Sequence, residues 1–166
     1  MKIRQELEKD YKIVESIIQN AFLTAEHSDG TEQDLVLNLR KSDAFVPELS
    51  IVAEVEDKIV GHILFTEAKV GEDTVLVLAP LAVLPEYQCL GIGSKLILKG
   101  HSIATKKGYN YSVVLGSEKY YPKFGYITAE LLGIETPKGI PAVNFMAIKL
   151  NPNAKKLSGK IKYSKE

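Results

Sequence analysis

The chain has 166 residues, 45% hydrophobic and 25% charged, with 21 Lys and Arg balanced by 21 Asp and Glu. That length suits one domain with a sizeable core, and zero net charge gives no support to a nucleic-acid or general polyanion partner. The single cysteine, Cys89, excludes an intramolecular disulfide and a multi-cysteine metal site, in keeping with a reducing compartment.

Met1-Lys2-Ile3-Arg4-Gln5-Glu6 becomes charged at once and lacks the apolar core of a signal peptide. No stretch reaches the roughly 18 uninterrupted apolar residues that a spanning helix needs. The expectation is a soluble, cytoplasmic enzyme or binding domain with no membrane and no metal. Residues 1–150 read as a single domain, because no repeat and no Gly-, Pro- or Ser-rich linker divides them. Residues 151–166 read as a polar, Lys-rich extension, loosely held and solvated.

In chain order, Asp10 is placed to cap a helix whose apolar residues Val14, Ile17, Ile18, Ala21 and Phe22 follow helical spacing. His27-Ser28-Asp29-Gly30 reads as a loop. Thr31 then caps a second helix that runs through Leu35, Val36 and Leu39 to about Arg40. Ser50–Glu56 and Ile59–Val70 are β-rich runs joined by a hairpin turn at Asp57-Lys58. After Gly71-Glu72-Asp73, the segment from Thr74 to Leu84 is almost continuously apolar, as befits a strand covered on both faces. Pro80 has no N–H to give a ladder, so this strand should be distorted or splayed beside it. The spacing of Ile92, Leu96, Ile97, Ile103 and Ala104 predicts a helix ending at Gly108. Tyr111–Leu115 is a further strand, Ser117–Phe124 a short helical turn closed by Gly125, and Ala142–Leu150 a final strand. The fold class is α/β (α+β), a mixed sheet flanked by helices.

One junction stands out, Pro85-Glu86-Tyr87-Gln88-Cys89-Leu90-Gly91-Ile92-Gly93-Ser94. Glycines at 91 and 93 allow a tight turn and a close ligand approach. A helix starting there offers free N–H groups and the positive end of its dipole, together an anion site. A dinucleotide fingerprint would need a glycine at position 96, where Leu96 stands, and the strands upstream form a meander, so that reading is rejected.

Gln88-x-x-Gly91-x-Gly93 resembles the Gln/Arg-x-x-Gly-x-Gly/Ala signature of the GNAT superfamily of acetyl-CoA-dependent N-acetyltransferases. Leu81-Ala82-Val83-Leu84-Pro85-Glu86-Tyr87 before it is similar to the family's fourth strand and the turn that follows. Tyr120-Tyr121-Pro122-Lys123-Phe124-Gly125-Tyr126 is similar to its aromatic segment after the fifth strand. The likeness covers about residues 50–150 and implies a mostly antiparallel sheet with a splayed fourth strand. It also implies acetyl-CoA as co-substrate, its pyrophosphate on the amides of Cys89, Leu90, Gly91, Ile92, Gly93 and Ser94, with Gln88 at the head of the motif. The pantetheine arm would pair with the main chain near Ala82 and Val83 like an added strand. Where the family often carries small, polar or basic residues, this chain has Cys89 and Leu90, which weakens electrostatic help with the phosphates.

Tyr121, four residues before Gly125, sits where the family's tyrosine reaches the CoA sulfur. A phenol of pKa about 10 is protonated at neutral pH and can protonate a thiolate, with Tyr120 as the fallback. The general base stays open among Glu54, Glu67, His62 and a water chain. Phe22, His27 and Glu32 are placed near the expected acceptor side. The acceptor is an amine of a small molecule or of a protein. Self-association is common in the family, but no interface is specified here. A non-catalytic acyl-CoA-binding module on the same fold is the competing reading.

Overall fold

The computed structural model describes residues 1–23 and 32–163, so His27 and the expected Thr31 cap lie outside the described residues. Eight strands form one sheet: β1 (Lys2–Gln5), β2 (Phe45–Val55), β3 (Lys58–Val70), β4 (Asp73–Val83), β5 (Tyr111–Leu115), β6 (Ile127–Thr128), β7 (Phe145–Lys149) and β8 (Ile161–Tyr163). Their order is β1-β2-β3-β4-β5-β7-β6, with β8 added on β3. Only the β4–β5 pair is parallel; the other pairings are antiparallel.

Helices α1 (Tyr11–Phe22), α2 (Glu32–Arg40) and α3 (Ile92–Lys106) cover the sheet. In α1, Val14, Ile17 and Ile18 are buried at the spacing of one helix face, and that face packs on β3 and β4. Asp10 precedes α1 but does not cap it. Its carboxylate instead accepts from the Leu7 N–H and pairs with Arg4, which also bridges to Glu54. α3 lies on the opposite face: Leu96 and Ile92 close over Gly61, and a Cβ at Gly100 would overlap the Phe65 ring. His62, one residue along β3 from Gly61, turns the other way toward Glu6 and, through it, Arg40 of α2.

The β2–β3 turn is Glu56-Asp57, both at positive φ (51° and 64°), one residue earlier than expected. Left-handed residues at both centres match the right-handed strand twist. β4 pairs with β3 along its length, but with β5 only at Leu76↔Ser112 and Val77↔Val113. The β3–β4 register slips between Ile63↔Leu81 and Phe65↔Leu78, a bulge containing Pro80. The splay expected at Pro80 is therefore present, and the edge of β4 beyond Val77 is unpaired on the β5 side.

Several elements differ from expectation. β1 and β6 are additional strands, β2 begins at Phe45 where Ser50 was expected, the last strand shortens to β7 because residues 142–144 form a 3-10 turn, and the C-terminal segment is docked. Leu157 is buried, its N–H bonds to Leu132 C=O, Gly159 pairs with Gly133, and the Tyr111 hydroxyl donates to Lys155 C=O. The loose tail expected from composition is thus a strap across one end of the sheet. A second buried cluster, around Tyr111, Phe145, Ile134 and Leu157, fixes it there.

Candidate functional site

The unpaired edge of β4 leads into the N-terminus of α3. Antiparallel pairing sends the main-chain groups of alternate residues to the same side. The Leu84 N–H bonds to Val60 C=O at 2.9 Å, so Ala82, two residues back and opposite His62, also faces β3. The groups of Leu81 and Val83 face the open side. Of the two main-chain positions expected there, Val83 faces the open side and Ala82 faces β3. The Gln88 side chain donates from Nε2 to Val83 C=O at 2.9 Å, which leaves the Val83 N–H and both Leu81 groups as the free strand edge.

After the turn Pro85–Tyr87, Cys89 (φ 63°) and Gly91 (φ 84°) both adopt left-handed conformations. Gly91 is the N-cap of α3, and no side chain caps the helix. The opening N–H groups of an α-helix have no acceptors within it, and here no described side chain supplies them. A Cβ at Gly91 would meet nothing within 4 Å, so glycine is needed there for its φ alone. Gly93 is needed for space, because a Cβ there would lie 2.7 Å from the Tyr120 hydroxyl. Uncapped amides in a turn of alternating backbone hand make a concavity suited to a diphosphate.

A cavity of about 470 Å³ opens over this turn. Val83, Gln88, Cys89, Gly91, Ile92, Gly93 and Ser94 line it. The side chain of Ile92 itself belongs to the core, leaving its amide as the contribution to the site. Leu90 points away and is 66% exposed. Leu81, Tyr87 and Lys123 also line the cavity and were not singled out for it from the sequence, and Tyr120, expected only as the fallback acid, lines it too. Strand alternation would have found Leu81 once the β3–β4 register was known. Tyr87 belongs to the same turn as Gln88, and Tyr120 and Lys123 arrive through tertiary packing.

Tyr121 is half-buried beside the cavity rather than on its wall. Its ring lies on Gly116 at the end of β5, where a Cβ would come within 2.5 Å of it. Tyr120 and Tyr126 hold it edge-on, with ring centroids 5.2 and 5.8 Å away. Burial pushes its pKa up to about 12, and its hydroxyl has no hydrogen bond among the described residues. The Tyr120 hydroxyl lies against the start of α3, beside Gly93. Tyr126 is pinned by Ser112 Oγ at 2.8 Å and His101 Nε2 at 2.9 Å.

None of the three named base candidates lines the cavity. Glu54 is paired with Arg4, and Glu67 accepts from the Tyr109 hydroxyl at 2.5 Å. His62 is fully buried 3.0 Å from Ser50 Oγ, and desolvation pushes its pKa down to about 3. It is a neutral structural imidazole. Phe22 packs against the main core, and Glu32 occupies the first turn of α2. Among the described residues no group of three or more His, Cys, Asp or Glu could hold a metal, and no helix is long and apolar enough to cross a membrane.

The model of the acetyltransferase (GNAT) family matches residues 11–126. The uncharacterized N-acetyltransferase YhbS of Escherichia coli K12 is 31% identical over 128 residues, covering 76% of this chain and 73% of that protein. The uncharacterized N-acetyltransferase YjhQ of the same strain is 42% identical over 99 residues, or 57% of this chain, and the match spans only 55% of YjhQ. Among solved structures, a GNAT family acetyltransferase from Brucella melitensis in complex with acetyl-CoA is similar at TM-score 0.80 and 29% identity, with 98% of this chain and 94% of that chain covered. The Escherichia coli YhbS structure in complex with CoA shares the fold at TM-score 0.86 and 24% identity, covering 98% and 88% of the two chains.

Proposed function

The chain belongs to the GNAT acetyltransferase family, and from that premise we propose that it transfers the acetyl group of acetyl-CoA to a primary amine, with Tyr121 returning the proton to the departing thiolate. The observation that carries this reading is the continuity of the unpaired β4 edge with the uncapped N-terminus of α3 in one cavity. The Brucella relative, similar along nearly the whole chain, binds acetyl-CoA.

The division of labour follows from the geometry. The amides from Cys89 to Ser94 hold the diphosphate. The free groups of Leu81 and Val83 pair with the pantetheine amides as an extra strand would. The co-substrate supplies an activated acetyl group as its thioester. A free N–H on the open edge is also suited to steady negative charge on the thioester oxygen. Tyr121, with its pKa near 12, keeps its proton throughout the neutral range, and its hydroxyl has no competing partner. The acceptor amine must arrive uncharged, and with Glu54, Glu67 and His62 engaged elsewhere, water is the carrier for its proton.

Titration with acetyl-CoA by calorimetry, followed by a screen of amines for thiol release, tests the activity. With an acceptor in hand, Tyr121→Phe should lower kcat about a hundredfold and leave acetyl-CoA affinity within about twofold. The same loss from Tyr120→Phe, with Tyr121→Phe unaffected, would move the acid to Tyr120. Acetyl-CoA binding with no acceptor in a broad screen would favour the non-catalytic acyl-CoA module.

A further inference from the structure

The phosphate-binding turn has an electrostatic gap. From Pro85 to Ser94 the only charged side chain is Glu86, which is negative, yet a CoA molecule brings several phosphate charges. Among the described residues, Lys123 is the one cationic side chain lining the cavity, and it comes from the opposite wall, the segment that follows β5. It makes no ion pair with any described residue. Its ammonium stands 5.6 Å from the centroid of the Tyr120 ring. That ring is buttressed edge-on by Phe124 at 5.2 Å, and its hydroxyl lies against the first turn of α3, 2.7 Å from where a Cβ on Gly93 would stand. The wall that carries Lys123 is therefore packed against the same helix end that presents the amides.

We propose that Lys123, presented by Tyr120, is the cation that binds the phosphates of the co-substrate across the cavity from the α3 amides. The proposal rests on the acetyl-CoA reading above and adds a residue to it. A lysine acts here as a point charge, and a ring face holds such a charge without neutralising it. The turn itself carries no cation, and the charge is supplied from the second wall. The free-energy gain is Coulombic and solvent-exposed, so it must shrink as salt rises.

The experiment is calorimetric titration of the wild type, Lys123→Gln, Lys123→Arg and Lys119→Gln with CoA and with 3′-dephospho-CoA, at low and high salt. Lys119 is an exposed lysine of the same segment that does not line the cavity, so its variant reports long-range charge alone. The expected result is a loss of about three- to tenfold in CoA affinity for Lys123→Gln at low salt, shrinking toward none at high salt. Lys123→Arg should stay close to wild type, as should Lys119→Gln. If Lys123→Gln loses the same factor toward 3′-dephospho-CoA, the charge addresses the diphosphate. If that loss vanishes, it addresses the 3′-phosphate. Equal CoA affinity for Lys123→Gln and wild type overturns the proposal, as does a loss that salt leaves unchanged, which would signify lost packing. A folded wild type that fails to bind CoA overturns the co-substrate reading itself, a result distinct from either.

Discussion

Two polar clusters sit on opposite faces of the sheet and use their polarity in opposite ways. On the α1–α2 face, Arg40 gives its guanidinium to Glu6 at 2.6 Å and lies 4.0 Å over the Tyr11 ring, while Ser50 donates to the same carboxylate at 2.7 Å. These groups are buried and directed at one another. At the start of α3 the donors are main-chain amides, no described side chain caps them, and they face an open cavity. A buried charge must be paired to be tolerated, so the first cluster locates the N-terminal helices on the sheet. An unpaired donor at a cavity is tolerated only in contact with water or a ligand, so the second cluster is left open to one.

Removing one partner from the closed cluster should have the largest effect. Arg40→Met leaves Glu6 buried without its cation and should cost about 3–5 kcal/mol in urea unfolding. CoA affinity measured below the unfolding transition should not change, and a parallel loss of binding would show that the two faces are coupled.

Acid sharpens the contrast next. Folded His62 is held down to about pKa 3 and His101 to about 4, against an ordinary value of 6.5. Folding therefore excludes protons that the unfolded chain takes up below pH 6.5. Stability is full above that pH and is lost as pH falls toward 4, by at most about 2 kcal/mol per histidine at pH 5. Urea midpoints between pH 7 and 5 test this, and His101→Gln should remove about half of the slope. A flat profile would mean that the imidazoles are hydrated.

The smallest effect on stability is expected at the open cluster. Gly91→Ala forces a left-handed alanine, a strain of about 1 kcal/mol with no steric clash. CoA affinity should fall about tenfold through the altered amide directions. Unchanged affinity would mean that Gly91 serves the turn alone.

The site junction was readable in advance because its signals are local. A glycine of required backbone hand, a second that leaves room beside it, a proline that breaks a ladder, and a helix with clear apolar spacing all act within a few residues. What escaped depends on distant partners. Asp10 resembles an N-cap in sequence, but Arg4 and the Leu7 N–H claim its carboxylate. β1 is short and polar, and it becomes a strand only because Glu54, Ala53, Val52 and Ile51 lie opposite. Leu81 differs from Ala82 by one step of register, and Tyr120 and Lys123 reach the cavity from another part of the chain. Leu157 is one of a few apolar residues scattered among lysines, so composition could not reveal its pocket.

The docked C-terminal segment also acts as a guard. Beyond Glu67, whose N–H still reaches Ala44 C=O, β2 no longer accompanies β3. The main-chain groups of Lys69, between Ala68 and Val70, would there be left bare, the usual template on which a strand of another molecule can add. β8 takes that place, with Tyr163, Lys162 and Ile161 opposite them. Exposed Lys160 and Lys162 leave the new rim charged, which discourages further strand addition. The same short stretch that looked like solvated tail keeps the molecule from growing sideways into a larger sheet.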